Sequence, residues 1–179
     1  MSMNNILGHL KTVLTHKYYV FKYMTIAGYP IRGFMHDMSK FSWTEFSESV
    51  KYYTGTISPI TVCKKTNGCS YAWQHHKGRN PHHYEYWVDY LDDGGIPIKM
   101  PYKYVIELIC DYIAAGKAYR KEKFTFKDEY AWWENKLINE HPKIHKDTID
   151  YISLCLRCFA EKESFDPEVF KTNRKILKY

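Results

Sequence analysis

An all-α fold is the expectation for this sequence, on three observations. Apolar residues recur at helical spacing in most segments, capping signals punctuate them, and no stretch alternates apolar with polar residues as a half-buried strand would. The 179 residues match one ordinary domain, or one with an extension, and suffice to bury a core without disulfide staples. A hydrophobic fraction of 45% excludes a disordered chain. Aromatics reach 17%, so much of the core should be aromatic with polar tips turned outward.

The elements follow in order. Residues 3–27 place Ile6, Leu10, Val13, Leu14, Tyr18, Phe21 and Met24 near helical spacing, and Gly28-Tyr29-Pro30 closes that helix. A short second helix covers about 31–38. Ser42-Trp43-Thr44-Glu45 is a capping-box pattern that starts a third helix, running to about Tyr53. Residues 54–69, with Gly55, Pro59, Asn67 and Gly68, read as a loop. A helix then runs from Tyr71 to about Arg79, and Pro81 opens another that reaches about Leu91. Asp92-Asp93-Gly94-Gly95 with Pro97 and Pro101 is a break. Residues 102–120 form the cleanest amphipathic helix, with Val105, Leu108, Ile109, Tyr112 and Ile113 on one side. Further helices are expected at 127–139 and 146–162, and Asp166-Pro167 starts a last short one.

A net charge of +6 favours an anionic partner such as a nucleotide or phosphorylated metabolite. The basic residues are spread along the chain and form no stripe, so nucleic acid is not the expected partner. No run of eighteen apolar residues occurs, and the first residues lack the pattern of a signal peptide, so no membrane partner is expected. Five cysteines, an odd number, fit a reducing compartment. The expected location is the cytoplasm.

Nine histidines are present, and several cluster. His36-Asp37 stand together, and His16 precedes them on the first helix. His75, His76, His82 and His83 sit within nine residues. Asp111 falls inside an apolar run, where a buried carboxylate costs several kcal/mol unless it is paired or binds a metal. Imidazoles and carboxylates suit Zn, Fe, Mn, Ni or Co. His9, His141 and His145 are read as structural.

A histidine on the first helix, an adjacent His-Asp pair on the second and an aspartate on a later helix resemble the signature of the HD-domain metal-dependent phosphohydrolases. The segments HKYYVFKY, FMHDMSKF and ELICDYIAA carry the resemblance, which covers about residues 10–120. It implies a helical bundle over 1–122 that binds metal, with 123–179 as accessory helices packed on it. It implies a metal set of His16, His36, Asp37 and Asp111, with Asp37 able to bridge two ions. Lys40 matches a lysine that contacts phosphate in the branch acting on cyclic dinucleotides. The Gly-Tyr-Pro that follows the paired histidines in that branch is absent here. The extra histidines resemble those holding a second metal. His76 and His82 are the candidates, with His75 and His83 as rivals. The block from Trp73 through Asn80 to Trp87 resembles a separate branch.

The expected activity is hydrolysis of a nucleotide or other small phosphate ester by one or two divalent transition metals (Mn, Fe, Ni, Co or Zn). Lys40 would stabilise developing charge, and His75 or His83 would protonate the leaving group. The alternatives are a mixed-valence di-iron oxygenase, which the extra histidines also suit, and a non-catalytic nucleotide-binding protein. Cys155-x-x-Cys158 with Cys63 and Cys69 could hold zinc, but reads better as small buried residues. Trp73, Tyr84, Tyr86 and Trp87 could stack a base or pack around the ligands. Asn80 could orient a ligand or cap a helix. Lys77, Arg79, Lys117 and Arg120 could bind phosphate or form a solvated face.

Overall fold

In the computed structural model, which describes residues 2–90 and 94–177, α1 (Met3–Ile26) and α6 (Tyr102–Arg120) pack along one another at the centre of a helical bundle. Nine α-helices stand among the described residues, so the fold is all-α as the periodicity indicates. No described helix is long and apolar enough to cross a membrane.

α1 buries His9, Val13, His16, Val20 and Tyr23 at alternating four- and three-residue steps, with Met24 beside the last. Leu14, Tyr18 and Phe21, apolar at helical spacing in the sequence, face outward instead. Gly28 ends α1 at φ +88°, a left-handed conformation that glycine adopts without strain. Pro30 opens α2 (Pro30–Met35).

α2 is shorter than the 31–38 expected. His36 is extended (φ −52°, ψ 132°) and Asp37 is left-handed (φ 53°, ψ 30°), so the helix breaks at the His-Asp pair. A 3-10 turn over Met38–Phe41 follows. α3 (Trp43–Lys51) begins as expected, with the Glu45 backbone N–H donating to Ser42 Oγ.

Two expectations between α3 and α6 fail. Residues 54–69 are not a plain loop, because Pro59–Asn67 form α4. Pro59 opens it after Ser58, and Gly68 closes it at φ +77°. After α5 (Tyr71–Lys77), capped by Ser70, Pro81 starts no helix. The segment turns instead, His83 N–H donating to the Asn80 carbonyl at 3.0 Å. It closes when Trp87 Nε1 donates to the Pro81 carbonyl at 2.6 Å. Only a 3-10 turn (Tyr84–Trp87) forms there. The expected end at Leu91, like Asp92 and Asp93 of the break, lies outside the described residues. A two-residue antiparallel pair that the sequence did not suggest joins β1 (Val88–Asp89) to β2 (Ile96–Pro97).

α7 (Phe126–Glu140), α8 (Lys146–Lys162) and α9 (Glu168–Thr172) stand near their expected places. Trp133, Tyr151, Ile152 and Phe159 belong to the same buried cluster as Met24, Leu108 and Ile113. The core is therefore continuous across residue 122. Lys117 lies over the Phe124 ring at 4.4 Å, so its stem covers aromatic surface. Cys155 is buried and Cys158 partly so, and no described cysteine joins a group that could hold a metal.

Gly33 sets how closely α2 approaches α1. A Cβ there would stand 2.6 Å from Met24 Cβ and 3.1 Å from Phe21 Cα. Gly33→Ala should therefore lower stability by about 1–3 kcal/mol in a urea titration. An unchanged midpoint would show slack in the α1–α2 contact.

Candidate metal centre

Three elements deliver the four residues of the first donor set. His16 lies on the buried face of α1, one turn past Val13. His36 caps α2, and the left-handed backbone at Asp37 turns its carboxylate inward, a conformation that Asp adopts more readily than most residues. Asp111 projects from the middle of α6. His16 Nε2 stands 3.0 Å from Asp111 Oδ1 and 3.4 Å from His36 Nε2. His36 Nε2 is 3.2 Å from Asp37 Oδ2 and 3.3 Å from Asp111 Oδ1. Donors about 2.1 Å from a common ion sit roughly 3.0 Å apart in an octahedron and 3.4 Å apart in a tetrahedron. The spacing fits a metal's coordination shell.

The second set shares Asp37. Its Oδ1 lies 3.3 Å from His76 Nε2 and 3.4 Å from His82 Nε2, and His76 Nε2 is 2.9 Å from His83 Nε2. These atoms form a second group that could hold a metal. The structure thus brings together His16, His36, Asp37, Asp111, His76 and His82. It also places His83 in the second donor set, where a proton donor was expected. The turn after Asn80 allows adjacent histidines to converge there, and the His82 and His83 rings lie 4.2 Å apart. His75 is not in either set. Its Nδ1 meets Glu45 Oε1 at 2.7 Å.

Two carboxylates missed in the sequence hold the imidazoles from behind. Glu107, one turn before Asp111, has Oε1 at 3.0 Å from His36 Nδ1 and 3.4 Å from His82 Nδ1. Arg32 pairs with its other oxygen at 2.6 Å. Glu45 meets both His75 Nδ1 and His76 Nδ1 at 2.7 Å. A ring that donates Nδ1–H to a carboxylate presents a bare Nε2 lone pair on its other side. The grouping of His36, His82 and Glu107 therefore orients ligands through their Nδ1 atoms. Helical phase could have flagged Glu107, four residues from Asp111 on one face. Glu45 was hidden by its cap, because its backbone N–H binds Ser42 while its carboxylate goes to the histidines. Asn80 both braces and orients, donating to Ser39 Oγ and to the His76 carbonyl at 2.8 Å each.

Asp37 Oδ1 and His82 Nε2 are buried without a hydrogen-bond partner. Such atoms are costly, and a cation satisfies them. Lys40 Nζ faces Asp37 Oδ2 at 2.6 Å as an ion pair. Burial alone would raise the Asp37 carboxyl, but His36, Lys40 and His76 hold it well below the usual range. Burial is likewise outweighed at Asp111 by His16 and His36. Burial and the Lys40 charge push His16 down to about 4, and burial with His82 and His76 lowers His83. His36 runs the other way: burial lowers it, but Asp37, Asp111 and Glu107 together raise it well above its ordinary value. A metal there would displace its Nε2 proton, since ionised carboxylates and neutral imidazoles are the forms that bind metal.

A cavity of about 840 Å³ opens onto Asp111 of one set and His83 of the other. Trp73, Tyr84, Tyr112 and Trp132 line it, with Lys64, Arg120 and Lys136. A smaller one of about 540 Å³ reaches His36, Asp37 and His82 from the α2 side, past Arg32 and Arg79. The remaining histidines are structural. His9 packs on the Phe46 and Tyr53 rings, His141 ends α7 and His145 caps α8.

The model of a family of unknown function, DUF5662, matches residues 5–157. This chain belongs to that family. No curated protein and no solved structure matches it. The DUF5662 match takes in both donor sets, Glu45 and Glu107, together with α7, which adds Glu129 and Trp132 to the larger cavity.

Elemental analysis after incubation with Mn, Fe, Co, Ni or Zn should find two ions per chain. His16→Ala and His82→Ala should each lose one, and Asp37→Ala should lose both. Glu107→Gln should weaken retention about 10–100-fold. A wild type without bound metal under every loading would reduce the two sets to charge networks.

Proposed function

We propose that this DUF5662 protein is a metal-dependent phosphohydrolase of the HD type, acting on a nucleotide or other small phosphate ester. The observation that carries this reading is the Asp37 carboxylate shared by two facing donor sets, which a cavity lined also by Lys64, Arg120 and Lys136 reaches at Asp111 and His83. Divalent ions held there would polarise a phosphoryl oxygen and acidify a water. The resemblance over residues 10–120 supports the same chemistry.

The chain's own groups supply the rest. Burial works against the Lys40 charge, but Asp37 and Asp111 outweigh it and raise the ammonium above its ordinary range. Lys40 therefore stays charged beside the centre and stabilises negative charge on the ester. Arg120, held by Glu129, and Lys136 offer anion contacts farther along the cavity. With His83 in the second donor set and His75 bound to Glu45, the leaving-group proton falls to another residue. Glu129 suits that role. Burial pushes its carboxyl up to about 7 against the Arg120 charge, so it carries a proton near neutrality. Described cysteines form no disulfide, which fits the proposed cytoplasmic setting.

A di-iron oxygenase is the second reading. The three imidazoles of the second set suit iron as well as other metals. A panel of phosphate esters, with the metal-loaded protein, separates the two. Phosphate release that Asp37→Ala abolishes supports the hydrolase. Oxygen uptake by the ferrous protein without phosphate release supports the oxygenase. Tight binding of a nucleotide without turnover would leave only a binding role.

Within the hydrolase reading, Lys40→Ala should lower kcat about 100-fold while metal content holds. The rate should also fall as pH rises through about 7, because the acid form of Glu129 is the donor. Glu129→Gln should remove that limb of the pH profile. A limb unchanged in the variant assigns the proton elsewhere.

A further inference from the structure

A surface helix normally turns polar residues to water, and α1 does so only in part, with Lys11, Lys22 and Thr25 exposed beside large apolar side chains. Its outward stripe holds Leu7, Leu14, Tyr18 and Phe21, which are 58, 52, 60 and 42% exposed. Leu7, Leu14 and Phe21 repeat every seven residues, and Tyr18 lies between the last two. Such spacing lets one helix lie along a copy of itself.

The stripe continues onto α2. Lys17 Nζ reaches the Phe34 carbonyl at 3.1 Å and Met38 Sδ at 3.4 Å, so this segment borders the outward face of α1. Ile31, Phe34 and Met35 are 80, 65 and 57% exposed there, and Met38 is 46% exposed. Together the two elements expose eight large apolar side chains on adjoining surface, and exposed apolar patches larger than a few hundred Å² mark interaction sites. Aromatics and methionine enrich it and it holds no exposed carboxylate, as an interface centre does, with Lys11 and Lys22 beside it.

We infer that a second copy of this chain docks on the α1–α2 face, in a two-fold dimer with α1 against α1. A two-fold contact is self-complementary, which a heptad stripe satisfies with one surface. Ile31 and Met35 also line the smaller cavity beside His36, so the partner copy lies over that opening. The larger cavity opens among α4, α6 and α7 and stays clear. The dimer thus gives the two openings different roles, one covered and one free.

Sedimentation equilibrium of the full chain, loaded with metal, tests this. The expected mass is twice 21.4 kDa at micromolar concentration. Leu14→Glu and Phe34→Glu change exposed side chains, so each should keep the helical circular dichroism and sediment at the single-chain mass. Ile138→Glu, on α7 at 68% exposure, should leave the dimer intact. A wild type at 21.4 kDa overturns the inference. So does a dimer that both glutamate variants retain. Single chains that co-sediment with vesicles of anionic phospholipid would assign the face to a membrane surface instead.

Discussion

One buried carboxylate governs this molecule. Asp37 sits between two sets of imidazoles with each oxygen turned to one of them, and Lys40 pairs with the oxygen that faces the first set. Placing it there requires α2 to stop at Met35 and the backbone to turn left-handed. That turn also starts the 3-10 segment that carries Lys40 back onto the carboxylate. The packing of α1 on α6 then sets His16 against Asp111, and α3 against α5 sets Glu45 behind His76. Much of the bundle's arrangement around the site answers to this single group.

Residue chemistry made much of the site legible. His36-Asp37, His16 and Asp111 stand out because a charged group in an apolar run needs compensation. Their supports were harder to see. Glu107 looks like any polar residue of an amphipathic helix, and only its phase with Asp111 marks it. Glu45 satisfies a cap through its backbone, so the sequence offered a sufficient use for it before its side chain was considered. The Pro81 segment misled for a different reason. Proline suits the first turn of a helix, but the long-range bond from Trp87 to the Pro81 carbonyl favours a turn. Tertiary contacts of that kind leave no local trace. α4 is the converse case, since Ser58-Pro59 and Gly68 are ordinary start and stop signals. Composition alone, rich in turn residues, masked them.

The DUF5662 match continues past the donor sets to residue 157. The added stretch includes α7, whose Glu129 and Trp132 face the larger cavity. Glu129 fits there because position 116 is glycine. A Cβ on Gly116 would stand less than a bond-contact distance from the Glu129 carboxylate, so α6 and α7 close together around that acid. The surroundings of the donor sets are thus built partly by the helices beyond residue 122, which share one core with those before it.

Glu107 joins the two donor sets by a route other than Asp37. A single oxygen lies against Nδ1 of His36 and of His82, one ring from each set. That oxygen cannot follow one ring without leaving the other. The two sets are thus held to one another at their backs through Glu107 as well as at their faces through Asp37, so a shift of either imidazole is felt in the other set.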